Sequence, residues 1–268
     1  MQEINKLLTE IEKTKGIKIL FAIEAGSRVW RMASKDSDYD VRFVYVRPKK
    51  DYLRINKQAD VIDTTTDNID IVGFDIYKFT KLLLSSNPSM IEWLKSDIIY
   101  IDDGKTKELL KKFIEEKFNP IALYHHYRSM CKQNYLKYLK SGEMMTHKKY
   151  LYAMRGLVNA KYVMVGNKIG VYRIPPIDFN KTIKKIFEIE KEFKYKAPEI
   201  ISIEVLNKLL EIIELKKTGF EKIKVSKIHL FETYIETFLK TEAKPESRRI
   251  IDYQEVQEHI FDMLGVKE

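Results

Sequence analysis

Apolar residues at Ile4, Leu7, Leu8 and Ile11 fall at helical spacing, which predicts a helix over residues 3–14. The apolar run 17–23 has the length of a strand and is broken at Gly26-Ser27. Over residues 39–46, Val41, Phe43 and Tyr45 alternate with Arg42 and Val44, and Pro48 closes the stretch, so a second strand is expected there. Val61-Ile62 predicts a short strand, and residues 69–76, interrupted by Gly73, predict another. A helix is expected over 77–86, with Phe79, Leu82 and Leu83 on one face. Asn87-Pro88 ends it and starts the next helix, which carries Ile91, Trp93 and Leu94. Residues 98–101 read as an edge strand and Asp102-Asp103-Gly104 as a turn.

From Lys105 onward the texture changes to helical periodicity, over 105–117, 120–140, 146–165, 179–194, 202–216, 226–240 and 252–264. Gly142, Pro175-Pro176, Pro198, Gly219 and Pro245 act as breakers between these spans, and no internal repeat is visible. The expected architecture is an α+β head over residues 1–118 followed by an all-helical domain over 119–268.

Composition narrows the class. The chain has 268 residues, 44% hydrophobic and 12% aromatic, which is globular rather than disordered. Its one cysteine, Cys131, cannot close an internal disulfide and rules out cysteine-based zinc sites. No apolar run approaches the ~20 residues of a membrane span. The first fifteen residues are charged throughout, unlike a signal peptide, so a reduced, cytoplasmic chain is expected. A net charge of +9 favours polyanionic partners such as nucleotides or RNA. A Lys- and Glu-rich surface of heat-adapted type is the competing explanation of that charge.

Candidate chemistry concentrates in Glu24-Ala25-Gly26-Ser27-Arg28 and Ser34-Lys35-Asp36-Ser37-Asp38-Tyr39-Asp40. An apolar strand ends in Gly-Ser and leads into an expected short helix, 28–33. Exposed backbone N–H groups there, with the Ser27 hydroxyl, suit a phosphate, and Gly26 permits close approach. Asp38 and Asp40 open the next strand, where residues two apart share a face. Carboxylates that close repel one another unless a divalent cation lies between them, and hard oxygen ligands select Mg²⁺ or Mn²⁺. A phosphate cradle beside such a pair is the arrangement required for phosphoryl or nucleotidyl transfer. The plainer alternatives are a solvated acidic turn for the aspartates and simple helix capping for Ser27. Glu24, inside an apolar strand, is expected to pair with an arginine such as Arg42. Arg28 is divided between a phosphate contact and a surface position.

These residues resemble the DNA polymerase β-type nucleotidyltransferase superfamily: Gly-Ser on a strand–helix turn, Asp-x-Asp on the next strand, and a third Asp on a later strand. More narrowly, the chain is similar to predicted nucleotidyltransferases associated with RNA ligases in RNA repair. The blocks that carry this likeness are 24–28, Ser37-Asp38-Tyr39-Asp40-Val41-Arg42-Phe43, Gly73-Phe74-Asp75-Ile76, Ser86-Asn87-Pro88 with Glu92-Trp93-Leu94, and 148–155. They span about half the chain. Three positions depart from the pattern: Arg31 where glycine is expected, Tyr77 where a basic residue is usual, and Gly156 where proline is usual.

The resemblance implies a polymerase β-like head with a mixed sheet and a helical body that closes over a nucleoside triphosphate. It also implies that Asp38, Asp40 and Asp75 hold two metal ions and that pyrophosphate leaves when an acceptor hydroxyl attacks the α-phosphate. Asp75 would serve as general base as well. Asp70 is the alternative third carboxylate. An unbroken strand puts Asp70 and Asp75 on opposite faces, and a bulge at Gly73 would reset this. The alternative role for Asp75 is capping of the following helix. The nucleotide-binding set implied is Gly26, Ser27, Arg28, Lys148, Lys149, Tyr150 and Arg155, where Lys148, Tyr152 and Arg155 share a helix face. Tyr127 and Lys132 are weaker candidates of the same kind. His125-His126 and Met144-Met145 read as ordinary helix positions, and Lys216-Lys217 and Arg248-Arg249 as solvated charge. An RNA end is the first acceptor expected. A protein or small-molecule hydroxyl, or a non-catalytic RNA-binding module, is the alternative.

Overall fold

The computed structural model describes the chain except residues 67, 143–144, 171–172, 194–199, 220–222, 242–251 and 267–268, and the side chains of 167 and 168. Pro198, Pro245, Met144, Arg248 and Arg249 therefore lie outside the described residues. In chain order the elements are α1 (Gln2–Lys15), β1 (Lys18–Glu24), α2 (Gly26–Val29), β2 (Tyr39–Val46), α3 (Lys49–Tyr52), β3 (Val61–Thr65), β4 (Ile69–Asp75), α4 (Ile76–Leu84), α5 (Pro88–Lys95), β5 (Ile99–Asp102) and α6 (Thr106–Lys117). They continue with α7 (Pro120–Asn134), a π-helical turn Tyr135–Leu139, β6 (Met145–Thr146), α8 (His147–Lys168), α9 (Phe179–Glu192), α10 (Ile203–Thr218), β7 (Lys224–Val225), α11 (His229–Lys240) and α12 (Gln254–Leu264).

The chain forms two compact units. One comprises Met1–Val29, Asp38–Phe118 and Ile250–Glu268; the other comprises Trp30–Ser37 and Asn119–Arg249. Two segments thus depart from the division at residue 118: residues 30–37 belong with the helical unit, and the C-terminal segment with the first. Helical periodicity alone cannot say which core a terminal amphipathic helix covers, and α12 illustrates this.

In the first unit, β1–β5 form a mixed sheet of order β3-β4-β2-β1-β5. β2 and β4 run parallel, and the other pairs are antiparallel. Near-total burial of β1 fits its central place. One face carries Ala22, Val41, Phe43, Tyr45, Ile69 and Ile71 against Ile4, Leu8 and Ile11 of α1. On the other, Phe21 meets Phe79 of α4 edge-on at 5.6 Å, and Trp93 of α5 lies 5.0 Å from Phe74.

The β2–β4 register is continuous from Tyr39↔Ile69 to Tyr45↔Asp75, so the bulge considered at Gly73 is absent. Gly73 serves another purpose: a Cβ there would lie 2.1 Å from the ring of its partner Phe43. Five of the helices start at side-chain caps that the sequence offers. Asp75, Asn87, Asn119, Asp178 and Ser202 each accept a hydrogen bond from the first turn of α4, α5, α7, α9 and α10. Each such cap contributes about 1 kcal/mol.

The helical unit is built around α8, which packs on α7 at close range. A Cβ on Gly156 would stand 2.8 Å from the Cys131 backbone nitrogen. That contact leaves no room for a side chain at position 156, where the resemblance led to an expectation of proline. The π-helical turn ends the predicted 120–140 helix five residues after Asn134. The β6–β7 pair, two residues on each side, was beyond the reach of periodicity.

Candidate active site

The first unit assembles a carboxylate cluster at the N-terminal end of the parallel pair β2–β4. Asp40 and Asp70 are direct register partners, so their side chains share a face. The Arg42 guanidinium lies between them: Nη2 donates to Asp40 Oδ1 at 3.2 Å and to Asp70 Oδ2 at 2.7 Å. Nη1 of the same residue donates to the carbonyls of Val41 at 3.0 Å and Asp70 at 2.8 Å. The other oxygen of Asp70 accepts from Thr65 Oγ1 at 3.3 Å.

The Gly-Ser turn stands against this cluster. Gly26 has φ +64°, and a Cβ on it would be 2.0 Å from Asp40 Oδ2. The Ala25 N–H donates to the Asp40 carbonyl at 2.8 Å. Ser27 is buried inside α2, whose four residues replace the longer 28–33 helix that was expected. Residues 30–37, which follow α2, belong to the other unit.

Backbone contacts fix Asp38-Tyr39-Asp40 at successive points. Arg28 Nε donates to the Asp38 carbonyl at 3.2 Å, and its guanidinium carbon lies 3.9 Å from the centre of the Tyr39 ring. The Tyr39 N–H donates to the Asn68 carbonyl at 2.9 Å. Glu24 Oε1 accepts the Asp40 N–H at 3.0 Å, while its Oε2 accepts from the Tyr100 hydroxyl. Arg28 Nε also stands 3.7 Å from Glu24 Oε1. Burial pushes the Glu24 carboxyl above the usual range, against the hydrogen bonds from Tyr100 and the Asp40 amide that lower it. Glu24 does pair with an arginine, as expected from the sequence, but the partner is Arg28 rather than Arg42. Glu24 holds the backbone of Asp40, and Arg42 holds the carboxylates. Asp38 itself is exposed, immediately ahead of β2.

Asp75, expected as the third carboxylate, lies apart from this cluster. It pairs with Tyr45, five positions further along both strands, at the opposite end of β4 and on the opposite face. Its Oδ1 caps α4 by accepting the Tyr77 N–H at 2.9 Å, and its Oδ2 accepts from the Tyr52 hydroxyl at 2.8 Å. The residue is only 5% exposed, and burial raises its pKa. Capping, the alternative role, is the observed one, and Asp70 is the carboxylate brought to Asp40.

The helical unit carries the second predicted group. Tyr150 is 0% exposed; its hydroxyl donates to Glu232 Oε1 at 2.9 Å and accepts the Ile228 N–H at 2.9 Å. A ring without exposed surface cannot stack on a base, so Tyr150 leaves the nucleotide-binding set. Arg155 is buried with its guanidinium carbon 3.6 Å above the Trp30 ring, and Tyr152 meets Trp30 edge-on at 5.5 Å. Lys148 Nζ lies 5.8 Å from the Tyr152 ring and Lys149 Nζ 5.3 Å from that of Tyr138. The weaker candidate Tyr127 is buried, whereas Lys132 is exposed.

Donor chemistry decides whether a divalent cation suits the carboxylates. Among the described residues, no three His, Cys, Asp or Glu side chains converge as a ready metal cage. Two carboxylates, Asp40 and Asp70, do converge, and they already share one positive group. Hard oxygen donors of this kind match Mg²⁺ or Mn²⁺.

Comparison with known proteins places the chain in a family. The family model described as RNA repair pathway DNA polymerase beta family matches residues 1–262. A Bacillus subtilis (strain 168) protein, "Uncharacterized protein YcgL", is 36% identical over 237 residues, covering 88% of this chain and 84% of that protein. A crystal structure of a nucleotidyltransferase-like protein from Exiguobacterium sibiricum 255-15 aligns over 98% of this chain and 89% of its own, with 9% identity and a TM-score of 0.33. Among the described residues no helix is long and apolar enough to cross a membrane.

Proposed function

The chain belongs to the RNA repair pathway DNA polymerase beta family, and from that premise we propose that it moves a nucleoside monophosphate from a triphosphate to an acceptor hydroxyl, in the first place an RNA end, releasing pyrophosphate. Family membership makes it a nucleotidyltransferase. The acceptor, the metal and the residue roles are our reading.

One observation carries it: Asp40 and Asp70 are brought to a single cationic group, with Asp40 pressed against the Gly26 turn. Asp38, Asp40 and Asp70 would hold Mg²⁺ or Mn²⁺, Asp70 taking the place first given to Asp75. A divalent cation there supplies neutralising charge for a triphosphate and acidifies the attacking hydroxyl. The phosphates are expected at the Gly26-Ser27 turn, where Asp40 fills the space beside Gly26 and would bring a bound cation to them. Glu24 and Arg28 act one step removed, by holding the backbone of Asp40 and Asp38. In the helical unit, Lys148 and Lys149 attract anionic ligands in keeping with the net charge of +9.

The test is to incubate the protein with each of four α-labelled triphosphates, Mg²⁺ or Mn²⁺, and cellular RNA or protein. Labelled RNA with stoichiometric pyrophosphate is expected. Labelled protein would move the acceptor to a protein hydroxyl, and no pyrophosphate under any condition would contradict the proposal.

A further inference from the structure

Arg42 has so far been a contact of the carboxylates, yet its placement gives it a definite task. It follows Asp40 by two residues on β2 and so shares its face of the sheet. The guanidinium is held at four points: two backbone carbonyls through Nη1, two carboxylates through Nη2. Its side chain is 17% exposed, against 31% for Asp40 and 37% for Asp70. Asp40 and Asp70 lie directly opposite one another on neighbouring strands, where like charges destabilise a sheet unless a cation intervenes. A fork bonded to both supplies that cation.

We propose that Arg42 is a built-in counter-cation, which neutralises the Asp40–Asp70 pair in the metal-free chain and is displaced from at least Asp40 when a divalent ion enters. The idea rests on the metal reading above and adds to it. Nη2 occupies carboxylate lone pairs that the ion would use, and two positive groups in one place repel. The longer contact, to Asp40 at 3.2 Å, yields first, because the bonds of Nη1 to the Val41 and Asp70 carbonyls keep the side chain tethered to the strand pair. Arg42 is thus a positioning residue that lowers apparent metal affinity while supporting the metal-free sheet. The apparent affinity equals the intrinsic one reduced by the fraction of molecules in which the arginine has withdrawn.

Mn²⁺ binding to the full chain, followed by the loss of free-ion paramagnetic signal, tests this. The proposal expects R42Q to bind Mn²⁺ about fivefold or more tightly than wild type. It also expects the metal-free R42Q to melt at lower temperature and to recover more on adding the ion. R42K, which keeps the charge but loses the fork, guards against a fold failure of R42Q and is expected to bind about twofold or more tightly than wild type. In the wild type, the ¹⁵N-resolved Nε–H signal of Arg42 is expected to shift on titration with Mg²⁺. Equal Mn²⁺ affinity of wild type and both variants, or an Arg42 signal that stays put while the ion saturates, overturns the role of Arg42 and leaves the metal site standing. Absence of any Mn²⁺ binding that Asp40→Asn or Asp70→Asn weakens overturns the metal reading itself, and this inference with it.

Discussion

Asp40 Oδ2 lies 2.0 Å from the point where a Cβ on residue 26 would stand, so the carboxylate and the Gly-Ser turn are in contact because Gly26 has no side chain. The same glycine adopts φ +64°, a conformation costly for any L-residue with a Cβ. Gly26→Ala therefore has two penalties, one of strain and one of displacement of Asp40. We expect it to lower stability by about 1–2 kcal/mol and to abolish nucleotidyl transfer with the fold retained. Thermal melting together with pyrophosphate release measures both.

Asp75 separates stability from chemistry. Replacing it with alanine removes the cap of α4 and the partner of Tyr52. The loss is expected at about 1–3 kcal/mol, with transfer per folded molecule unchanged. Denaturant melts and an activity assay normalised to folded protein check this.

Glu24 predicts a pH dependence. Its pKa is raised in the folded chain, chiefly by burial. At pH below the ordinary carboxylate range it is protonated in both states and costs nothing. As pH rises, the unfolded chain ionises first, so stability falls until the folded value is passed and stays lower above it. Glu24→Gln lacks this step. The melting temperature of wild type relative to Glu24→Gln is therefore expected to be most favourable below the ordinary carboxylate range and to decline as pH rises through and above it. A difference that stays flat over that window would contradict the burial argument.

Arg31 is a family departure with a structural signature. It stands where glycine is expected and adopts φ +61°, the left-handed region that favours glycine. Arg31→Gly is expected to raise stability by up to about 1 kcal/mol, read as a melting temperature higher by roughly 2–4 °C.

Much of this was legible in the residues, for identifiable reasons. Central strands β1 and β2 and the helices with clean apolar periodicity are local patterns, and their bounds fall close to expectation. The Gly26-Ser27 turn and Asp38-x-Asp40 were legible as a motif, and the structure sets Gly26 directly against Asp40. The third carboxylate was not. Asp70 and Asp75 differ in register against β2, a non-local quantity, and the register runs through Gly73 without the bulge that would have favoured Asp75. The burial of Tyr150 was non-local in the same way: its hydroxyl is satisfied by Glu232 and the Ile228 amide, some 80 residues along the chain. The signal that was available and underused is Glu24, an acidic residue at the end of an otherwise apolar strand, which must find donors when buried. It found the amide of Asp40.

The central claim is that Asp40 and Asp70, not Asp75, are the carboxylates of one transfer site. It is tested most directly by comparing Mg²⁺-dependent release of pyrophosphate from wild type, Asp70→Asn and Asp75→Asn under single-turnover conditions. The account predicts that Asp70→Asn falls by about a hundredfold or more and that Asp75→Asn stays within about threefold of wild type. Full activity in Asp70→Asn with loss in a folded Asp75→Asn would contradict it.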